Sequence, residues 1–164
     1  MANYTKGKIA IPNVTGNIVI TITAVPQAQE NAFPSKFYET DGITLYNGLG
    51  YKTGYRFNSK RSEVGGLSND AITGYLDITG ASKITVSGAT NPQTATGYWV
   101  LCYDANHNVI TTFPTNGNIV PNGEFTHDAV NPDFSLPANA KYIRFMVNKD
   151  NCIGTPPALT VVLE

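Results

Sequence analysis

The chain is poor in charge. Only 14% of its 164 residues are Asp, Glu, Lys or Arg, compared with roughly a quarter in an average globular domain. Asn and Thr together number 36, against 23 charged residues, so we expect a surface made mostly of neutral amide and hydroxyl groups. The formal net charge is -1, and no cluster of Lys and Arg is longer than Lys60-Arg61. Because nucleic-acid binding needs a basic patch, the composition argues against a nucleic-acid partner.

Long apolar runs are also missing. The longest covers only a few residues, well short of the ~20 that cross a bilayer. The first residues, Met1-Ala-Asn-Tyr4, lack the charged and apolar regions of a signal peptide. We therefore expect a soluble chain with no membrane partner. Its length suits one domain, large enough to bury a core without disulfides or a structural metal.

Cysteine is scarce as well. The two cysteines, Cys102 and Cys152, each lie in or next to an apolar segment, and neither neighbours a histidine or the other cysteine. Two cysteines are too few to define a disulfide framework. We expect buried free thiols, with a disulfide between the two as the alternative and a catalytic thiol disfavoured.

Catalytic motifs are absent. The sequence contains no G-x-S-x-G, P-loop, G-x-G-x-x-G or H-E-x-x-H pattern, so we predict a protein that is not an enzyme and takes no cofactor. A two-carboxylate glycosidase site stays open, although most acidic residues fall in apparent turns. Asp128, Asn131 and Asp133 offer oxygen ligands to calcium, but their spacing matches no known calcium loop. We favour a plain turn there and predict no metal site.

Helical periodicity is also lacking, because Gly or Pro interrupts nearly every window of three turns. Short alternating segments recur instead between turn signals such as Asn47-Gly48 and Asn116-Gly117, which indicates an all-β, antiparallel jelly-roll or β-sandwich. The predicted strands are 8–11, 17–23, 43–46, 55–57, 74–78, 83–86, 98–103, 109–113, 142–148 and 159–163. The polar segment Val25–Pro34 separates the first strand pair from the rest. We therefore predict a β-hairpin linker, or the end of a preceding module, at 1–27 and a jelly-roll module at 28–164.

The alternation of side chains along a strand assigns faces. In 142–148, Ile143, Phe145 and Val147 form the apolar set, which leaves Tyr142, Arg144, Met146 and Asn148 on the other face, partly or wholly accessible. The same reasoning buries Tyr55 and Phe57 and turns Arg56 and Asn58 outward. In 74–78 it buries Leu76 and Ile78 with Gly74, and burial of Tyr75 with Asp77 is the less favoured alternative. The segment 98–103 remains ambiguous, because Trp99, Leu101 and Tyr103 alternate with Tyr98, Val100 and Cys102.

One set of residues favours ligand binding. Sugars stack their C–H faces on aromatic rings and pair their hydroxyls with Arg, Asn and Asp side chains. The residues of this kind on the strands are Trp99, Tyr103, Arg56, Asn58, Tyr142, Arg144 and Asn148. The alternative is that Trp99 and Tyr103 fill the core and that Arg144 pairs with an acidic residue of a neighbouring strand.

Two parts of the chain resemble known phage proteins. Gly7–Ala24 is similar to the short β segment that links modules in structural proteins of phages that infect Gram-positive bacteria. The segments Gly54–Ser59, Thr73–Ile78, Tyr98–Asp104 and Lys141–Asp150 resemble the jelly-roll carbohydrate-binding modules of tail-tip and baseplate proteins in such phages, including evolved distal tail proteins.

The resemblance implies a non-catalytic tail adhesion module that acts on the virion, at the host cell surface, and binds host cell-wall polysaccharide beside other tail subunits. It also implies directions for the ambiguous strand: Val100 and Cys102 would face the core, and Trp99, Leu101 and Tyr103 would face Arg56 and Arg144. Sugars would then stack on Trp99 or Tyr103 while Arg56, Asn58, Arg144 and Asp104 hold hydroxyls. The rival is a structural or assembly module of the tail or baseplate with no saccharide ligand.

Overall fold

A computed structural model describes residues 3–5, 8–10, 29–32, 37–65, 70–88, 97–117, 119–148 and 159–164. Within these residues the chain is nearly all β, contains no α-helix and has one short 3-10 turn at Tyr46–Gly48. Its strands are β1 Asn3–Thr5, β2 Lys8–Ala10, β3 Gln29–Ala32, β4 Tyr51–Thr53, β5 Tyr55–Phe57, β6 Glu63–Gly65, β7 Asp70–Thr73, β8 Leu76–Asp77, β9 Lys83–Ser87, β10 Val100–Tyr103, β11 Gly123–Thr126, β12 Tyr142–Asn148 and β13 Thr160–Leu163. The prediction of an all-β fold is confirmed.

The described strands form four antiparallel sheets. The largest has the order β10-β12-β7-β4, with β8 also paired to β12, and the next has the order β11-β9-β13-β3. β1 pairs with β2 and β5 pairs with β6 as two-stranded sheets. All pairings between these strands are antiparallel, as the turn-rich sequence predicts.

The main core lies between the two larger sheets. Val100, Cys102, Ile143 and Phe145 of the five-stranded sheet belong to the same buried cluster as Ile84, Val86, Phe125 and Val161 of the four-stranded sheet. This confirms the inward directions expected from alternation for Ile143 and Phe145 and, for Val100 and Cys102, those implied by the resemblance; the side chain of Val147 lies outside the description. Cys102 is a buried free thiol, whose pKa is raised by its burial; Cys152 lies outside the described residues.

The opposite face of the five-stranded sheet is also buried. We call its cluster the second core; its fully buried members are Tyr46, Phe57, Ile72, Trp99, Leu101, Tyr103 and Met146. The β5–β6 hairpin covers this face: Phe57 is fully buried, and its backbone forms a bridge with Tyr98. Alternation therefore assigned Arg144 and Met146 to the correct face, but the prediction that they are accessible there is wrong, because both side chains are only 2% exposed. Tyr142, on the same face, is partly exposed as predicted.

Two predicted strands are absent, and six described strands, β1, β3, β4, β6, β7 and β11, lie where none was predicted. At 43–46 the Asp41 carboxylate accepts the backbone N–H groups of Ile43 and Thr44 and closes a turn. At 109–113 only Val109 forms a bridge, with Tyr103. Within the polar segment 25–34, β3 pairs with β13. The predicted strand 17–23 lies outside the described residues, and the boundary at residue 27 stays a prediction.

A close backbone approach fixes the entry to β8. A Cβ atom on Gly74 would lie 2.3 Å from Cβ of Tyr46 and 2.6 Å from the carbonyl oxygen of Tyr38. We expect Gly74→Ala to lower the free energy of unfolding by about 3 kcal/mol, since an overpacked buried site must shift its backbone. Urea denaturation measures this effect. Ser87→Ala, at the exposed end of β9, is the control and should change stability by about 0.5 kcal/mol or less; equal midpoints for the two variants would contradict the prediction.

Candidate functional site

Four rings cluster where β8, β10 and β12 meet. We call this group, Tyr75, Tyr103, His107 and Tyr142, the aromatic edge. Tyr75 makes edge-to-face contacts with Tyr103 at 5.0 Å, His107 at 4.8 Å and Tyr142 at 6.0 Å between ring centroids. Tyr103 is buried, whereas Tyr75, His107 and Tyr142 are each partly exposed. The aromatic edge thus joins the second core to the surface.

Sheet register places the tyrosines side by side. Tyr142 stands opposite Tyr103 of β10 on one side and Asp77 of β8 on the other. Residues directly opposite in an antiparallel pair project to the same face, with Cβ atoms roughly 5 Å apart. Burial of Leu76 and Ile78 in the main core turns Tyr75 to the opposite face, where it meets Tyr103 and Tyr142.

A turn built around Asp104 holds His107 over Tyr142. One carboxylate oxygen of Asp104 accepts the backbone N–H groups of Asn106 (2.8 Å) and Asn108 (2.9 Å), and the other accepts the side-chain amide of Asn108 (3.1 Å). The hydrogen bonds from Asn108 are the main cause of the lowered pKa of Asp104. His107 adopts a left-handed φ of 61° and stacks on Tyr142 with 4.3 Å between centroids and 15° between planes.

Asp104 was predicted to hold sugar hydroxyls, but here both of its oxygens hold its own turn. Because its folded pKa is lowered, the stabilisation it provides is fully present above the unfolded pKa of about 3.9 and is lost as the pH falls through the folded value. We expect Asp104→Ala to release the turn, so that at neutral pH the stacked rings of His107 and Tyr142 no longer shift each other's proton signals by their ring currents. Wild type should lose these ring-current shifts only in stronger acid. Proton NMR of the His107 ring between pH 7 and pH 2 checks both. Unchanged His107 signals in the variant would contradict this role.

Arg144 connects the sheet to the β5–β6 hairpin. Its Nε donates to the carbonyl oxygen of Thr73 (2.9 Å), and its Nη1 donates to Glu63 Oε1 (2.7 Å). The other Glu63 oxygen accepts the Tyr46 hydroxyl at 2.9 Å, and burial raises the pKa of that phenol. The guanidinium carbon also lies 4.5 Å from the centroid of Tyr75 and 4.8 Å from that of Tyr46, distances at which a cation is attracted to a ring face.

Trp99 lies on the same side of the sheet as Arg144, as the resemblance implied, but inside the second core. It is 2% exposed, and among the described residues its indole Nε1 has no hydrogen-bond partner. The alternative weighed from sequence, that Trp99 and Tyr103 fill a core, agrees with their burial. In this conformation neither Trp99 nor Arg144 can touch a saccharide, so the ligand contacts predicted for them would need the covering hairpin to move.

The remaining predicted site residues belong to the β5–β6 hairpin and its turn, or stand at the end of β12. The side-chain oxygen of Asn58 accepts the N–H groups of Lys60 and Ser62 and closes the β5–β6 turn. Arg56 is half-buried beside the buried Asp70, whose pKa is raised by burial against an opposing effect of Arg56. Asn148 is the last residue of β12, paired in register with Asp70, and its side chain lies outside the description. The structure therefore brings Tyr103 and Tyr142 together but not the whole predicted set.

Four residues of the site were not among the ligand contacts predicted from the sequence: Tyr46, Glu63, Tyr75 and His107. The signal for Tyr75 was present, because burying Leu76 and Ile78 turns it to the other face. No local pattern marks Glu63, which meets Arg144 across 81 positions of sequence.

The described residues show no metal-binding cluster and no helix that could span a membrane. No group of three or more His, Cys, Asp or Glu side chains among them could hold a metal ion. In 127–133, the side-chain oxygen of Asn131 accepts the backbone N–H of Asp133 at 3.0 Å, as expected of a plain turn, and the Asp133 carboxylate accepts the hydroxyl of Thr115 and the backbone N–H of Asn116 from another loop. No described helix has the length and hydropathy that a membrane crossing requires.

Comparison with known proteins gives no relative. No protein-family model matches the chain, and no curated protein and no solved structure matches it significantly. The likeness to phage tail modules therefore stays a prediction from sequence.

Proposed function

We propose that this chain is a non-catalytic phage tail adhesion module that binds host cell-wall polysaccharide. Its fold would be a jelly-roll sandwich, and its place would be the virion, at the tail tip or baseplate beside other tail subunits. The proposal rests on the sequence resemblance and on one structural observation: the partly exposed rings of Tyr75, His107 and Tyr142 at the aromatic edge.

Partly exposed rings suit saccharides because they offer apolar area beside polar groups. Tyr142 has the carboxylate of Asp77 opposite it in β8, and its own hydroxyl and that of Tyr75 can donate to or accept from sugar hydroxyls. The buried residues act indirectly: Arg144 and Glu63 hold the hairpin and the rings in position. The predicted contacts therefore move from Trp99 and Arg144 to Tyr142 and its exposed neighbours.

Recognition at such a surface is shallow. Few groups of a monosaccharide would be buried, so single-site affinity should be weak, and useful attachment would come from many copies acting together on one virion. Tight binding of a free monosaccharide is not expected.

A structural or assembly module of the tail is the second candidate, and two observations favour it. Trp99 is buried in the second core. Ile43 and Leu49, on either side of the Tyr46–Gly48 turn, are 82% and 53% exposed, and a subunit contact at this turn would cover them as part of a contiguous apolar patch. This candidate requires no saccharide at the aromatic edge.

Cell decoration separates the two candidates. A fluorescent fusion of the chain, applied to a panel of Gram-positive strains, should label a subset of them, and purified wall polysaccharide from a labelled strain should compete. Uniform failure to label would favour the assembly module.

A second experiment tests whether the chain is non-catalytic. The same polysaccharide incubated with the chain should release no reducing ends, and their appearance would contradict this part of the proposal.

A further inference from the structure

An open pocket lies beside the aromatic edge, at the end of the main core. It has a volume of about 400 Å3, within the range typical of small-ligand sites. Its lining includes Thr79, Gly80, His127, Asn139 and Lys141. None of the residues described as lining it carries a carboxylate, so its only charged or titratable side chains are a lysine and a histidine.

Two hydrogen-bonded turns form its walls. The N–H of Ala81 donates to the carbonyl oxygen of Ile78 (3.1 Å), and that of Ala140 donates to Pro137 (2.9 Å). The turns are joined where the N–H of Ile78 donates to the carbonyl oxygen of Lys141 (2.9 Å). Gly80 has a φ of +81°, which the first turn needs. A pocket formed before binding loses less conformational entropy when a ligand enters.

The polar groups at the pocket are available to a ligand. Lys141 forms no ion pair with a described carboxylate. The Nδ1 atom of His127 lies 3.1 Å from the carbonyl oxygen of Leu136, and since a carbonyl only accepts, Nδ1 carries the proton of that bond. The ring is thereby fixed, and Nε2 is the nitrogen left for a ligand. Thr79 and Asn139 add a hydroxyl and an amide.

Lys141 also connects the pocket to the aromatic edge. Its ammonium lies 5.5 Å from the centroid of the Tyr142 ring, while the same residue lines the pocket. Asp77, the carboxylate opposite Tyr142, does not line the pocket; its Oδ1 accepts the backbone N–H of Thr79 at 2.8 Å. Among the lining side chains described, an anion in the pocket would meet the ammonium of Lys141 and no carboxylate.

We propose that this pocket binds a saccharide unit carrying a carboxylate or phosphate group, with Lys141 pairing the anion and Thr79, Asn139 and His127 holding the sugar. The inference rests on the proposed function and deepens it: the wall polymer recognised is acidic, with one unit in the pocket and its neighbour on the ring of Tyr142. Ammonium groups pair with carboxylate and phosphate through charge-assisted hydrogen bonds, which are about twice as strong as neutral ones.

The test is an NMR titration of the full 15N-labelled chain with glucose, glucuronate, glucose 6-phosphate and inorganic phosphate at equal concentrations and ionic strength. Glucuronate or glucose 6-phosphate should shift the backbone amides of Thr79, Gly80 and Lys141, and glucose should not. Whichever of the two binds more tightly identifies the anionic group. Equal shifts from glucose, or none from either anionic sugar, would overturn the proposal. Inorganic phosphate that binds as well as glucose 6-phosphate would overturn its saccharide part.

Lys141→Gln should weaken binding of the preferred anionic sugar about fivefold, because an exposed charged hydrogen bond is replaced by a neutral one. Lys52→Gln is the matched control, since Lys52 also lies over a tyrosine ring, 3.6 Å from Tyr55, but away from the pocket; it should bind like wild type. Equal affinities for the Lys141 variant and wild type would overturn the role of Lys141. If the fluorescent fusion labels cells but neither anionic sugar shifts any amide in the titration, the pocket proposal is refuted and the adhesion function stands. If the anionic sugars shift the amides of Thr79 and Gly80 but the fusion labels no strain, the pocket is supported and the adhesion function is refuted.

Discussion

Replacing Glu63 by alanine should lower the free energy of unfolding by about 3 kcal/mol. Removal of one partner from a buried ion pair costs about 3–5 kcal/mol, because the other charge is left buried and uncompensated. Arg144 is that charge: its side chain is 2% exposed, and without Glu63 it would keep its hydrogen bond to Thr73 and its contacts with tyrosine rings but no described carboxylate partner. The side chain of Glu63 is itself 34% exposed, so water can partly replace it, which places the expected loss at the lower end of the range.

Urea denaturation of Glu63→Ala and Glu124→Ala gives a direct comparison. Glu124 lies 3.7 Å from Lys83 in a surface pair and is 63% exposed, so its removal should cost less than about 1 kcal/mol. Trp99, the single tryptophan of the chain, supplies a second readout, since opening of the hairpin should shift its fluorescence to the red. If Glu63→Ala were no more destabilising than Glu124→Ala, Arg144 and Glu63 would not secure the hairpin.

Replacing Tyr142 by alanine should reduce binding to wall polysaccharide about tenfold, since a stacked ring contributes on the order of 1 kcal/mol beyond its buried area. Loss of cell labelling should be larger, because the effect multiplies over the copies on a multivalent particle. Tyr142→Phe keeps the ring and should retain most of the affinity. Isothermal titration with purified polysaccharide, on protein shown to be folded, measures all three forms.

Tyr55→Ala is the matched control for Tyr142→Ala. Both tyrosines are half-buried strand residues that pack against the second core, and each has a lysine ammonium over its ring. The two truncations should therefore cost similar stability, and only the Tyr142 variant should lose affinity. Equal loss in both variants would mean that general destabilisation, and not stacking, explains the result.

Much of the fold could be predicted from sequence because strand alternation is a local signal. It assigned Ile143 and Phe145 to the main core and Arg144 to the opposite face, and the structure agrees. Strand β7, which is buried throughout, was missed because four residues beginning with Asp70 carry no recognisable pattern.

Burial of the second face could not be predicted, because it depends on long-range contacts. Whether Trp99 is open or covered is decided by the β5–β6 hairpin, which is held by Phe57 against Tyr98 and by Glu63 against Arg144. The alternation of residues in β10, the strand that follows Trp99, does not show whether a hairpin covers Trp99. The sequence therefore identified a face rich in aromatic and guanidinium groups but not the part of it that reaches the surface.

The most direct test of where the chain binds is an NMR titration with oligosaccharides prepared from the wall of a labelled strain. We predict shifts at the amides of Tyr75, His107 and Tyr142, and an unchanged indole N–H signal from Trp99, which is unambiguous in a chain with one tryptophan. A shifted Trp99 indole signal with unchanged Tyr142 would contradict binding at the aromatic edge, and shifts confined to Ile43 and Leu49 would contradict it as well.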